Sequence, residues 1–137
     1  MTSPTIHVVA ALVIDERGFA LMVRKRGTSV FMQPGGKPEP GEELLDALRR
    51  ELHEELGLTE PAERYAWIGT FEEDAANEPG HRVRADVWSL GLSGVEPVGA
   101  AEIAEARWVD PADVGDIEVA PLSSRALLPL VGRSEID

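Results

Sequence analysis

The sequence predicts an α/β protein in which a mixed β-sheet is packed against helices. Three observations carry this: the chain opens on a β-branched apolar run, one long amphipathic helix follows a hairpin, and strand-like segments outnumber helical ones. Residues 5–14, TIHVVAALVI, are apolar at nearly every position, as in a strand buried on both faces. Asp15-Glu16-Arg17-Gly18 makes a turn and FALMVRKR (19–26) returns, so the two strands form a hairpin. Val30-Phe31-Met32 is a short apolar piece ahead of a Gly/Pro loop. Residues 42–56 form a helix, with Glu42 and Glu43 in its first turn, where the macrodipole favours anions, and Gly57 as its C-terminal cap. Further strands are expected over 63–72 and 81–92, joined by the loop DAANEPG, and a short one over 106–110, ARWVD, stopped by Pro111. The tail PLSSRALLPLVG (121–132) is expected as a helix limited by Pro129. No repeat or linker interrupts the 137 residues, which reads as one domain over 1–137.

Composition narrows the function. Hydrophobic residues make up 43% and charged residues 28%, a balance that supports a packed core. Without cysteine there are no disulfides, thiolate zinc sites or cysteine nucleophiles. The N-terminal MTSPTIHVV lacks a basic region followed by a long apolar run, and no stretch approaches the ~20 apolar residues of a membrane helix. A cytoplasmic protein without membrane association is therefore expected. Asp and Glu number 25 against 13 Lys and Arg, a net charge of −12. That argues against a nucleic-acid polymer as partner, because counterion release requires a basic face. An acidic protein still handles phosphates when cations stand between its carboxylates and the ligand.

The stretch 34–58, PGGKPEPGEELLDALRRELHEELGL, concentrates the acidic charge. On a helical wheel Leu45, Leu48, Leu52 and Leu56 share a narrow sector and form the core stripe. Glu51, Glu54 and Glu55, at i, i+3, i+4, converge on the flank beside it. Like charges at that spacing repel, and partial shielding from water aggravates the repulsion. Two readings follow: a divalent cation bound by hard oxygen ligands, or a solvated acidic face relieved by pairs such as Arg50 with Glu54. The preceding Gly35-Gly36-Lys37 is not a Walker loop, because the first glycine of that motif is missing and Pro38 stands where Ser or Thr would be.

The longer pattern decides between them. Gly36, then five residues to Glu42, then seven to Arg50-Glu51-Leu52-His53-Glu54-Glu55-Leu56-Gly57-Leu58, resembles the complete Nudix box at every defined position. Its seven identities at fixed spacing arise by chance in only about one window in 10^8. The chain is thereby identified as resembling the MutT-like Nudix hydrolases, whose fold is a mixed sheet sandwiched between helices (α/β/α). FMQPGGK and ARWVD extend the resemblance over most of 5–112, although only the box is specific.

The resemblance implies a hydrolase of phosphorus-containing anhydrides that cleaves a nucleoside diphosphate linked to another group. It implies Mg2+, with Mn2+ as a substitute, held by Glu51, Glu54 and Glu55. Glu54, Glu51, Arg50 and Glu102 are the implied catalytic residues, with Glu42 paired to Arg50 to orient the ligands. Glu105 is the alternative to Glu102, less favoured because it adjoins the strand and has arginine neighbours. Gly35, Gly36 and Lys37 are the candidates for substrate contact. Arg24 and Arg26 alternate onto one face with Met22, either to contact phosphates or as a solvated strand end. Phe31, Trp67, Phe71 and Trp88 are open between base stacking and core, Asn77 between a base contact and a turn. His7, His53 and His81 do not cluster at metal-ligand spacing. The expected partner is a small nucleotide, with self-association as a homodimer left open. Nucleoside triphosphate pyrophosphohydrolysis, including the sanitising of oxidised nucleotides, leads. ADP-ribose or a nucleotide sugar as substrate is the first alternative, and a non-catalytic nucleotide-binding module the second.

Overall fold

The expected first strand forms as β1, Thr5–Ile14, and its centre from Val9 to Val13 is buried. A computed structural model describes residues 4–131 of the chain. The hairpin turn is built by Asp15, whose Oδ1 accepts from the amides of Arg17 and Phe19, while Gly18 takes φ 81°. It leads into β2, Ala20–Lys25. Short strands β3 (Val30–Met32) and β4 (Gly35–Gly36) precede helix α1 (Leu44–Leu56). Then come β5 (Tyr65–Asp74), β6 (Arg82–Gly91), β7 (Ile103–Val109) and β8 (Glu118–Val119).

One sheet runs β5-β6-β1-β2-β3-β8, with β4 paired to β1 and β7 to β2. It is mixed, as expected: β1 lies parallel to β6 from Thr5↔Arg82 to Ile14↔Gly91, and antiparallel to β2. Successive β1 residues feed opposite cores. Val9, Ala11 and Val13 pack with Leu48, Leu52 and Leu56 of α1. Ala10 and Leu12 pack with Met22, Val87, Leu122 and Leu127 on the other face. Helical segments thus cover both faces of the sheet.

Several boundaries differ from expectation for identifiable reasons. Glu42 and Glu43 are not in the first turn of α1. Glu43 is the extended N-cap, and Glu42 lies in the preceding turn because its carboxylate is taken by the Glu39 amide and by Arg50. Leu45 is only partly covered, and Ala47 and Glu55 join Leu48, Leu52 and Leu56 on the buried face. Gly57 caps the helix as expected, at φ 68°, with its amide on His53 O. The strand expected over 106–110 starts earlier, at Ile103, because it pairs along the whole of β2. The tail is not a regular helix: Leu122–Leu127 is π-helical and Leu128–Leu130 a 3-10 turn containing Pro129. The expected end of that helix, Gly132, lies outside the described residues. Among the described residues no helix is long and apolar enough to cross a membrane.

The strands β1 and β2 meet at Ile14↔Ala20 and then part, and β4 takes the vacated edge of β1 with Val9↔Gly36 and Ala10↔Gly35. A cleft of about 620 Å³ opens at the parted end, lined by Ile6 and Val8 of β1 and by Val23 and Lys25 of β2. Gly35 is needed for β4 to approach so closely. It sits at φ 155°, and a Cβ there would fall on Val9 O and lie 2.8 Å from Ala10 Cα. Gly35→Ala is therefore expected to destabilise the fold by about 1–3 kcal/mol, through strained backbone and overpacking. Urea denaturation checks this, and an unchanged midpoint would contradict the contact.

Candidate active site

Helix α1 presents its glutamates toward the glycine strand β4. Glu51 is half-buried, and its carboxylate stands so close to Gly36 that a Cβ there would lie 2.5 and 2.6 Å from its two oxygens. Glu55 is only 1% exposed. One of its oxygens accepts from the Gly35 amide at 3.3 Å, and the other, Oε2, has no hydrogen-bond partner among the described residues. Burial pushes the Glu55 carboxyl up to about 8, the Gly35 amide opposes this, and the charges of Glu51 and Glu102 add to it. Burial raises Glu51 as well.

Glu102 completes the cluster. Ligand oxygens of Glu51, Glu55 and Glu102 all lie within 4.8 Å of one another. The loop carrying Glu102 is tied to the helix end by Ala100 N, which donates to Glu55 O at 2.8 Å. Ala101 takes φ 56°, a left-handed conformation uncommon outside glycine. Its strain is held by neighbouring bonds, including Arg26 N to Glu102 O at 2.9 Å and Arg26 Nε to Ala101 O at 3.2 Å. Glu105, the alternative, points elsewhere: it pairs with Arg107 and lies 3.5 Å from Arg24 Nε.

Glu54 stands apart from this cluster. It is exposed, and its Oε1 accepts from Arg50 Nη1 at 3.3 Å, one helical turn back. Arg50 is the brace of the acidic surface. Its Nε and Nη2 donate to Glu42 at 2.8 and 3.0 Å, its Nη1 to Glu51 at 3.1 Å, and its Nη2 to Lys37 O at 3.2 Å. Those bonds from Arg50 hold the Glu42 carboxyl down at about 2. One guanidinium thus joins the loop, Glu42 and two helix glutamates.

The other expected contacts divide. Gly35, Gly36, Lys37 and Arg26 line the cleft, whereas Arg24 does not, being turned to Thr28 O at 2.9 Å and to Glu105. Val23 and Lys25, on the alternate face of β2, take places in the lining, Lys25 at 3.9 Å from Glu102, and Arg26 joins them beyond the strand end. Asn77 lines the cleft. Of the aromatics, Phe31 is core, Trp67 and Trp88 stack edge to face at 4.9 Å, and none of Phe31, Trp67, Phe71 and Trp88 lines the cleft. His7 bonds Asp86 at 2.5 Å on the sheet, away from the cluster. Sequence reasoning passed over Lys25, Gln33 and Ser123, which all line the cleft. Only the position of Gln33 next to the glycine loop hinted at this.

Comparison with known proteins bears on the family and the fold. The NUDIX domain model matches residues 4–131. The chain belongs to the NUDIX family. Within it the chain is MutT-like: it superposes on the crystal structure of a MutT protein from Methanosarcina mazei Go1 with a TM-score of 0.73 and 26% identity, covering 94% of each chain. This NUDIX chain is also 37% identical over 65 residues to an m7GpppN-mRNA hydrolase of Bos taurus, covering 44% of the chain and 22% of that protein. It is 27% identical over 100 residues to a putative 8-oxo-dGTP diphosphatase of Bacillus subtilis (strain 168), covering 73% of the chain and 63% of that protein. The matched stretch therefore spans less than two thirds of either curated relative.

Proposed function

We propose that this NUDIX chain is a Mg2+-dependent pyrophosphohydrolase that converts a nucleoside triphosphate to the monophosphate and pyrophosphate. The observation carrying the reading is the orphaned, buried Oε2 of Glu55 within the Glu51–Glu55–Glu102 cluster, at the edge of the cleft. NUDIX hydrolases generally use divalent metals such as Mg2+, and the donor set fits one: carboxylate oxygens are the hard ligands it prefers. A buried acidic group without a partner is costly unless neutralised. Glu51, Glu55 and Glu102 would hold the cation, with Glu54 added by the box pattern. When bound, Mg2+ supplies polarisation of phosphoryl oxygens, activation of water and neutralisation of leaving charge.

The chain's own residues do the remaining work. Arg50 holds Glu51 and Glu54 in set rotamers and ties them to the Lys37 carbonyl, so the carboxylates are oriented before the substrate arrives. Gly36, with no side chain, leaves the space that the Glu51 carboxylate occupies at the cleft. Lys25, Arg26 and Lys37 line the cleft and offset phosphate charge. Glu102 is the proposed acceptor of the proton from the attacking water. A similar enzyme, named a putative 8-oxo-dGTP diphosphatase, supports a nucleoside triphosphate as substrate.

Assays of nucleoside triphosphates should give monophosphate and pyrophosphate, with activity lost in excess EDTA and restored by Mg2+ or Mn2+. In ¹⁸O-water one product should carry the label, and no phosphoenzyme should form. Undiminished turnover in chelator, or efficient hydrolysis of p-nitrophenyl phosphate, would overturn the reading.

A further inference from the structure

Among the described residues Ala101 alone takes a positive φ without being glycine, at 56°. It stands at the first central position of a tight turn, closed by Ile103 N donating to Ala100 O at 3.0 Å. Turns with φ above zero at that position usually place glycine there, because a Cβ crowds the backbone. The alanine conformation therefore persists only where its surroundings over-determine it, and such outliers gather at functional sites. The next residue is Glu102, the one member of the Glu51–Glu55–Glu102 cluster that does not come from helix α1.

Three bonds from outside fix this turn. Ala100 N donates to Glu55 O at the end of α1, at 2.8 Å. The other two come from Arg26, just beyond β2: its amide donates to Glu102 O at 2.9 Å, and its Nε to Ala101 O at 3.2 Å. The side-chain bond falls on the carbonyl of the peptide that joins Ala101 to Glu102. It opposes rotation of that peptide out of the left-handed conformation, and the Cα of Glu102 turns with the same peptide. Among the described residues the Arg26 side chain pairs with no carboxylate, and Ala101 O is its bonded acceptor. Groups bonded behind a metal ligand orient it, and their loss weakens the metal.

We propose that Arg26 is a positioning residue that sets Glu102 into the cation site through its Nε–H bond to Ala101 O, apart from any contact of its charge with phosphate. The bond keeps the Ala101 turn in its left-handed form, and that form places Glu102 with ligand oxygens of the cluster all within 4.8 Å of one another. Without the bond the turn relaxes toward negative φ, Glu102 is withdrawn, and cation binding weakens before any substrate is present. Charge alone has the opposite effect, because removing a nearby positive group favours the approach of a divalent cation. This rests on the divalent-cation reading above. Its test reads cation binding without substrate, so failure of that reading and failure of the positioning register separately.

Two uncharged variants of similar length separate the bond from the charge. Arg26→Gln keeps an N–H donor where Nε stands, and Arg26→Met has none. Affinity for Mn2+, measured by calorimetry without nucleotide, should fall roughly 10-fold in Arg26→Met and stay at or above the wild-type value in Arg26→Gln. In a Glu102→Gln background the two variants should bind Mn2+ equally, which a general loosening of the fold would not produce. Ala101→Gly, able to take positive φ unaided, should restore most of the affinity lost in Arg26→Met. Thermal melts report folding of each variant, and Arg26→Ala, which also lacks the donor, takes the place of Arg26→Met if that chain does not fold. Equal affinities in the Gln and Met variants, a difference that persists in Glu102→Gln, or no recovery with Ala101→Gly would overturn the proposal. A wild-type chain that binds no Mn2+ would overturn the metal reading itself, and this proposal with it.

Discussion

Glu55→Gln is expected to lower kcat/KM by roughly 10²–10³, the scale of removing one key electrostatic group from an active site. The amide keeps the size of the side chain and an oxygen that accepts from the Gly35 N–H, the one hydrogen bond described for the Glu55 side chain. What it removes is the anionic form of the buried oxygen pair that faces Glu51 and Glu102. The fold should therefore survive, with a metal-free melting temperature at neutral pH no lower than that of the wild type. Mg2+ titration should reveal weaker binding in step with the lost activity. Glu54→Gln should lower kcat on the same scale for a different structural reason: its exposed carboxylate contributes only a screened pair with Arg50, so stability should barely change. Full activity per folded molecule in Glu55→Gln would remove Glu55 from the site.

The second large effect is on stability against pH in the absence of metal. The Glu55 carboxyl has an ordinary value of 4.5 and is pushed up to about 8 in the folded chain. Below 4.5 it is protonated in both states, and its contribution to stability is fully present. Between these values the unfolded chain releases the proton and the folded chain keeps it, so rising pH favours unfolding. The loss continues as pH rises through the folded value, at up to about 1.4 kcal/mol per pH unit. Glu51, raised by burial, acts in the same direction. Glu42 and Asp86, lowered by their partners, act oppositely, losing stability as pH falls through their own depressed values. Urea denaturation in EDTA at several pH values should thus show stability falling by a few kcal/mol between about pH 5 and pH 8. Glu55→Gln should flatten most of that slope. Added Mg2+ should counter it, since it binds the deprotonated cluster and stabilises the folded state. A flat wild-type profile in EDTA would contradict the burial of an uncompensated carboxyl.

Local patterns were legible wherever short-range chemistry governs them. The apolar run of β1, the Asp15–Gly18 turn, the leucine stripe and the Gly57 cap all follow from neighbours within a few residues, and all are present. The start of α1 was misplaced because Glu42 serves Arg50, eight residues away, instead of the helix end. Arg24 and Arg26 part because β2 ends at Lys25: Arg24 faces Glu105 on β7, while Arg26, beyond the strand end, lines the cleft. The tail defeated a simple helical reading for a similar reason: its π-helical turn is set against the far sheet face, where Leu122 and Leu127 fill the core.

By itself the sequence determined the mixed α/β class and the family, because the box is a fixed spacing of glycine, arginine and glutamates along one loop and helix. It also determined that the helix would carry an excess of negative charge, with Glu51, Glu54 and Glu55 at a spacing that gathers them on one flank. Which carboxylates gather was decided only by tertiary structure. Glu102 joins Glu51 and Glu55 through a loop bonded to the helix end, while Glu54 turns outward to Arg50. The cleft likewise opens only where β1 and β2 part, and its lining joins Gln33 to Ser123, 90 positions away. Spacing along a chain reports which residues share a helix face. Burial, and the pairing of segments far apart in sequence, decides which of them lose water and meet.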